Sequence, residues 1–500
     1  MADLLTKITQ HAAWRPDADA LVDASGNRVS WAQLDENTSR LAAGFGRRGH
    51  RPGDRVAIGI FRGTIALQLF LSIQRAGLVP VVCGPGAGAG FADMVTDLGI
   101  VEAFVGPELK DSVPAGLMCW SVDDVDVLTA AAADPTGEPW RARPESDVAA
   151  IQFSTGSTGV PKGMIRTVGN DHADAVNRCL AMGVRSGDRW LCAAPSNINV
   201  AIGALRCTLL MGGTIVALDE VTPDAIELQT RGGIDVLPLQ AHDWRAAFDA
   251  GVAQQLPFRG LRIAVATGGR ADAATIRLLD DLMAHVGSAL NIYGLTEAGS
   301  VAISTTASRS VAGPFSVGVP TPLTEVSIDN SAQTTVGEIL IRGAAVSRGS
   351  AQTPDTDTDT DTDTADETWF RTGDLGEIDS RGELNVYGRL ADRLIINGAT
   401  VMPALVEASL CEIDGIAEAV LISNTATAAV RAVIHTDSDV DVNEVVKVLA
   451  DLGPHVSVVA VDRLPRNFGG KTDRRAVATL GDDEVRYLWA ADARVVNPDG

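Results

Sequence analysis

Between about residues 20 and 320, short apolar runs alternate with longer amphipathic stretches. "RVAIGI" (55–60), "GLVPVVC" (77–83) and "VEAFVG" (101–106) come first. "DRWLCAA" (188–194), "GGTIVAL" (212–218), "GIDVLPL" (233–239), "LRIAVAT" (261–267) and "ALNIYG" (289–294) follow. Runs this short and this apolar suit strands covered on both faces, and the segments between them are long enough for crossover helices. "SWAQLDENTSRLAAGFGRRG" (30–49) has apolar residues at helical spacing and stops at Gly49, a residue suited to a helix C-terminus. The pattern predicts a large α/β region built on parallel-rich sheets with flanking helices.

After about residue 310 the texture changes. "TEVSIDN" (324–330), "GEILIRG" (337–343) and "GELNVYG" (382–388) are short and bounded by turn residues, as in an antiparallel, barrel-like meander. Between them stands "DTDTDTDTDT" (355–364), which has no apolar face and repels itself at every second residue. It reads as a solvated surface loop; an EF-hand calcium site would need a Gly turn and a closing Glu that it lacks. From about 391 to 480, helical "PALVEASLCEI" (403–413) and "VNEVVKVLADLG" (442–453) alternate with strand-like "AEAVLISN" (417–424), "AAVRAVIHT" (428–436) and "HVSVVAVD" (455–462). This predicts a small α+β domain. The expected division is a large domain over 1–388, a small one over 389–480 and a tail over 481–500, and 500 residues are enough for two cores.

Composition narrows the partners. The chain is 46% apolar and 21% charged, as in ordinary globular proteins. A formal net charge of −23 argues against nucleic acid or an anionic membrane as partner, since both call for a basic surface. No apolar run approaches the ~18 residues of a membrane span, and the first residues lack the pattern of a signal peptide, so a cytoplasmic protein is expected. The six cysteines include no C-x-x-C pair and the seven histidines form no cluster. Neither a disulfide framework nor a metal site of nitrogen and sulfur ligands is expected.

Four stretches carry candidate chemistry. In "FSTGSTGVPKG" (153–163), Gly156 and Gly159 let successive backbone N–H groups turn towards one anion. Ser154, Thr155, Ser157 and Thr158 add hydroxyls, and Lys162 adds a positive charge. Pro161 and Gly163 depart from the P-loop order. "NIYGLTEAG" (291–299) ends a buried-type strand, so Thr296 and Glu297 fall where ligands gather in α/β sheets. Glu297 is a candidate Mg²⁺ ligand, and Tyr293 offers a face to a purine. In "WFRTGDLGEID" (369–379), Asp374 reads as a carboxylate in a Gly-flanked turn, able to accept from two ribose hydroxyls, with Arg389 able to reach ribose or phosphate. "LPRNFGGKTDRRAV" (464–477) places Lys471 after two glycines, as a projecting point charge. Taken singly, each has a plain alternative: a surface turn, a capped strand end or a basic hairpin.

Taken in order, "STGSTGVPKG", "YGLTE", "RTGDLGEID", "GRLADRLIINGATVMPALVE" and "LPRNFGGKTDRR" resemble the motifs of the adenylate-forming superfamily: acyl- and aryl-CoA synthetases, peptide-synthetase adenylation domains and luciferases. The resemblance implies a large N-terminal domain and a small C-terminal domain on a hinge, with ATP and a carboxylic acid giving acyl-AMP and pyrophosphate. Carried over by position, Ser154, Thr155, Gly156, Ser157, Thr158, Gly159 and Lys162 hold the outer phosphates. Gly268, Gly269 and Arg270 line the adenine side and Tyr293 stacks on it. Thr296 meets the α-phosphate, Glu297 the Mg²⁺, Asp374 the ribose, and Arg389 the ribose or phosphate. Lys471 reaches the carboxylate and the α-phosphate. Gly398 borders a channel for the thiol of CoA or of a carrier protein's pantetheine arm. No carrier domain follows Lys471, which makes the enzyme free-standing in this reading.

Three departures from the family pattern matter. Ala391 stands at the hinge position, where relatives carry Asp or Lys, and the segment from there to Lys471 is about ten residues short. "APSNINVAIGAL" (194–205) puts Asn197 and Asn199 where relatives carry an aromatic or histidine near the acid. With Gly294 and Ala298 beside them, they favour a small, aromatic or polar acid over a long fatty chain, since buried amides demand partners. The alternative is that both Asn residues cap the following helix. Transfer to a thiol is the leading expectation. A non-thiol acceptor (an amine, or an oxyacid such as nitrite in diazotisation) and a nucleotide-binding homologue that no longer catalyses stay open.

Overall fold

The computed structural model describes residues 3–61, 63–122, 127–134, 142–154, 162–195, 199–218, 222–251, 260–269, 271, 273–285, 287–309, 315–329, 335–347, 349–351, 369–396, 398–424, 429–436, 438–453, 456–466, 472–481 and 484–490. By its internal contacts the chain falls into two compact units. One comprises Met1–Val311, Val317–Val326 and Ile341–Phe370; the other comprises Ala312–Ser316, Ser327–Leu340 and Arg371–Gly500.

The first unit holds two sheets. A seven-stranded sheet runs Gly349–Ser350, Lys162–Thr167, Val148–Ser154, Val79–Val82, Arg55–Gly59, Ile100–Val105, Met118–Ser121. A nine-stranded sheet runs Val319–Pro320, Gly299–Thr305, Ser288–Leu295, Ile263–Thr267, Val236–Gln240, Arg189–Cys192, Thr214–Ala217, Asp19–Val22, Arg28–Ser30. Their interior pairings are mainly parallel; antiparallel strands close both edges of the nine-stranded sheet and one edge of the seven-stranded sheet, whose other edge, Met118–Ser121, is parallel. Val79–Val82, Thr214–Ala217, Val236–Gln240 and Ile263–Thr267 are buried along their whole length, which is why these runs show no alternation.

Helices Trp31–Arg47, Gly63–Arg75 and Asn199–Met211 join strands of both sheets in one apolar core. The first starts at a capping box of Ser30 and Gln33, and Gly49 follows its end at φ +85°. Helix Val168–Met182 is closed by a second capping box, Thr167 with Asn170, and by Gly183 at φ +69°. No helix among the described residues is long and apolar enough to cross a membrane.

In the second unit, strands Phe370–Ile378 and Leu384–Arg389 pair antiparallel in a four-stranded sheet with Gly337–Arg342 and Glu325–Ile328. A second four-stranded sheet runs Ile416–Asn424, Ala429–Thr436, Val456–Val461, Arg486–Ala490, with helices Pro403–Cys411 and Val442–Leu449 completing its core. The last strand lies within the expected tail over 481–500. Residues 486–490 pair antiparallel with Val456–Val461, because Leu488 and Trp489 have an apolar face to pack on. The Asp-Thr repeat lies outside the described residues.

Candidate functional site

In the first unit, Gly268, Gly269, Tyr293, Thr296 and Glu297 stand at the carboxyl ends of two neighbouring parallel strands. Strands Ile263–Thr267 and Ser288–Leu295 are parallel partners, and the Thr267 hydroxyl donates to the Ile292 carbonyl at 3.3 Å. Gly268 and Gly269, leaving the first strand, therefore stand beside Tyr293 on the second. Gly268 needs its φ of +74° to turn there, with the Gln240 side chain close against it.

Strand Ser288–Leu295 turns back through Thr296, Glu297 and Ala298 into antiparallel strand Gly299–Thr305, with Leu295 opposite Gly299. Gly299, at φ +72°, closes this three-residue loop. Thr296 and Glu297 are half-buried, Ala298 is buried and Gly294 is exposed. The loop is tied to the strand that begins at Lys162. Ser347 donates its backbone N–H to the Glu297 carbonyl (2.6 Å) and its hydroxyl to the Ile165 carbonyl (2.5 Å), while Arg166 Nη1 donates to the Thr296 carbonyl (3.3 Å). Lys162 itself is exposed, paired in register with Ser154 at the base of the expected phosphate grip. Residues 155–161 between them, with Asn197 and Arg270, lie outside the described residues.

Beneath these segments is a charged cluster. Arg166, on its strand, donates Nε to Asp171 Oδ1 at 2.8 Å. From helix Val168–Met182, Arg178 Nε donates to Asp174 Oδ1 at 2.8 Å. From helix Asn199–Met211, Arg206 Nη1 reaches Asp174 Oδ2 (3.1 Å) and Asn199 Oδ1 (3.0 Å), and Nη2 reaches Asp171 Oδ1 (2.8 Å) and Gln152 Oε1 (3.0 Å). Arg166, Arg206, Asp171 and Asp174 are buried. Three guanidiniums face two carboxylates, an excess of one positive charge (3 − 2 = 1). Burial alone would push the Asp174 carboxyl up, but the Arg178, Arg206 and Arg166 guanidiniums together outweigh it and hold it below the usual carboxylate range. For Arg206 burial wins, and its guanidinium is held below the ordinary arginine value. Gly299 packs directly on Asp174: a Cβ there would run into the carboxylate.

Asn199, expected at the acid pocket, is the first residue of its helix and is engaged on both sides, with Arg206 on its oxygen and the Leu295 carbonyl 3.4 Å from its Nδ2. Its side chain reaches across to another strand and does not cap the helix. None of the cluster's charges was singled out from the sequence. Two signals were available: Asp171, Asp174 and Arg178 share one helical stripe, and Arg206 stands alone in the apolar run "VAIGALRCTLL".

In the second unit, Asp374 lies within strand Phe370–Ile378, not in a turn, and is buried. Gly373 takes φ +70° within that strand, a conformation that favours glycine. Asp374 stands opposite Arg389 in register, with Oδ1 2.8 Å from Arg389 Nε, and Arg389 Nη1 also donates to the Thr372 carbonyl at 3.2 Å. Ala391 is exposed in a short 3₁₀ turn, Leu390–Asp392. Gly398 (φ +79°) follows strand Leu394–Ile396 in a tight hairpin with open space around it. Lys471 lies outside the described residues; its neighbour Thr472 bridges to Arg466, whose Nη1 donates to the Thr472 hydroxyl at 3.0 Å.

The set suits Mg²⁺. Among the described residues, no group of three or more His, Cys, Asp or Glu side chains could by itself enclose a metal. Glu297 offers a half-buried carboxylate on a loop whose backbone is fixed. One carboxylate plus substrate phosphates and water is the usual way a protein holds Mg²⁺. When bound there, the ion would neutralise phosphate charge.

The family described as "AMP-binding enzyme" matches residues 8–350. Phenyloxazoline synthase MbtB of Mycobacterium tuberculosis is 28% identical over 95% of the chain, which spans only 34% of that protein's length. Feruloyl-CoA synthase of an Amycolatopsis species is 29% identical over 81% of this chain and 82% of that one. In fold, the chain is similar to ATP-bound MatB from Rhodopseudomonas palustris, with a TM-score of 0.84 at 24% identity over 95% of this chain and 98% of that one.

Proposed function

The chain belongs to the AMP-binding enzymes, the adenylate-forming ligases, and from that premise we propose that it activates a carboxylic acid with ATP as acyl-AMP, releases pyrophosphate and passes the acyl group to a thiol. The observation that carries the reading is the union, in one unit, of the Lys162 strand with the Thr296–Glu297 loop through Ser347 and Arg166, beside Gly268 and Tyr293. In this reading the lysine of the phosphate grip comes from the seven-stranded sheet, and the α-phosphate contact, the cation ligand and the purine face come from the nine-stranded sheet.

The step requires two anions to approach and a pentacoordinate phosphorus to be stabilised. In this reading Ser154 to Lys162 hold the leaving pyrophosphate, Thr296 orients the α-phosphate and Glu297 holds Mg²⁺. Asp374, with Arg389, takes the ribose. Lys471 brings a positive charge to carboxylate and phosphate together. Ala391 serves as the hinge of a small C-terminal domain, and Gly398 borders the path of the thiol.

The acid is aromatic or small and polar, which the likeness to feruloyl-CoA synthase supports. The acceptor is CoA or a carrier-protein pantetheine, which the likeness to MbtB also admits. Incubation with ATP, Mg²⁺ and a panel of aromatic, amino and short acids, with and without CoA, tests both parts. AMP with thioester is the expected result. AMP without thioester moves the acceptor to an amine or other group, and no AMP with any acid removes the proposal.

A further inference from the structure

Three consecutive carbonyls of the 295–297 segment are bound from three different places. Leu295 accepts from Asn199 Nδ2 (3.4 Å), Thr296 from Arg166 Nη1 (3.3 Å) and Glu297 from the Ser347 backbone (2.6 Å). A three-residue hairpin loop closes without such help, and loops commonly leave these groups to water. The donors therefore fix where this loop sits and do more than form it.

Arg166 is the member with the most specific demand. It is fully buried, and its fork serves three acceptors in three directions: Asp171 Oδ1 (2.8 Å), the Asn170 carbonyl (3.2 Å) and the Thr296 carbonyl. Burying a guanidinium beside apolar strands is unfavourable unless its donors are well used, and a lysine's single ammonium cannot reproduce the planar fork. Arg166 also stands four residues after Lys162 on the same strand. That strand thus carries both the lysine of the phosphate grip and the clamp on the Thr296–Glu297 loop.

We propose that Arg166 is a positioning residue for adenylation, holding the Thr296–Glu297 loop in fixed relation to the Lys162 strand. The inference rests on the function proposed above, but its structural half stands apart from it. Arg166 touches no substrate in this account. It sets the spacing between the groups that meet the α-phosphate and the cation and the group that meets the leaving phosphates.

The test uses the full chain with Arg166→Lys, which keeps the charge, and Arg166→Met, which keeps the bulk. Amide hydrogen exchange is read on the peptide covering 293–300 and on strand 236–240 as a control. Melting temperature and, with a supporting acid, kcat and KM for ATP in pyrophosphate exchange are read beside it. Both variants are expected to exchange at least about tenfold faster in 293–300 with the control unchanged. Their kcat should fall roughly ten- to hundredfold, as when a group orienting a functional ligand is lost, with KM for ATP within about threefold. Unchanged exchange in 293–300, or a uniform rise everywhere with kcat per folded molecule unchanged, would overturn the proposal. If the wild type adenylates no acid, the proposed function fails by itself, and the local exchange result still decides whether Arg166 holds the loop.

Discussion

Asp174→Asn isolates the charge balance of the buried cluster while keeping its shape. In the wild type, the two Asp174 oxygens receive Arg178 at 2.8 Å and Arg206 at 3.1 Å. The substitution leaves three guanidiniums against the single carboxylate of Asp171 and turns an acceptor pair into one acceptor and one donor. Removing one partner from a buried ion pair costs about 3–5 kcal/mol, because the other charge stays behind without compensation. Arg206→Met runs the opposite way. It withdraws a desolvated charge of the sign in excess and leaves Asp171 and Asp174 with Arg166 and Arg178. Its cost is then mainly the acceptors left on Gln152 and Asn199, roughly 1–3 kcal/mol. Urea unfolding followed by tryptophan fluorescence reads the first unit, where Trp31, Trp190 and Trp244 are buried. The expected order of loss is Asp174→Asn well above Arg206→Met. Asp174→Asn within about 1 kcal/mol of wild type, or the reverse order, would refute the charge-excess reasoning.

The same cluster sets a pH dependence. The Asp174 carboxyl is held below its ordinary value, so its stabilisation is full above the unfolded value of about 4 and is lost as pH falls through the lower folded value. The urea midpoint should therefore drop more steeply below pH 4 in wild type than in Asp174→Asn. Gly299→Ala should destabilise by at least about 2 kcal/mol in the same assay, since its Cβ meets the Asp174 carboxylate and φ +72° is unfavourable for alanine. Asp374→Asn should weaken ATP binding about ten- to hundredfold by calorimetry, as expected when hydrogen bonds to a charged acceptor are lost; unchanged binding would remove Asp374 from the ribose. Burial pushes the Cys83 thiol up to about 12, and Cys179, Cys192 and Cys207 are also buried. In the folded protein at pH 8, a thiol reagent should therefore modify exposed Cys119 and leave these four, as peptide mapping would show.

The parallel sheets were legible because fully buried strands leave continuous apolar runs, and helix Trp31–Arg47 because its apolar residues keep helical spacing up to the stop at Gly49. Asp374 was misplaced in a turn because Gly-Asp carries a turn's local chemistry, whereas its strand is set by pairing with Leu384–Arg389. Strand Arg486–Ala490 was missed for the same kind of reason: its short run earns its place only against Val456–Val461. The charged cluster was the hardest to foresee. Arg166, Asp174, Asn199 and Arg206 look like surface or pocket residues one at a time, and only the packing of two helices on two strands brings them together. The motif residues were legible as chemistry, but what holds them in place was not.

The most direct test of the account is acid-dependent pyrophosphate exchange by wild type and Lys471→Ala across the acid panel. The account predicts exchange with at least one aromatic or small polar acid, and a loss of at least about two orders of magnitude in the variant, the scale of removing one electrostatic stabiliser of a transition state. Near-wild-type exchange in Lys471→Ala, or no exchange by wild type with any acid, would contradict it.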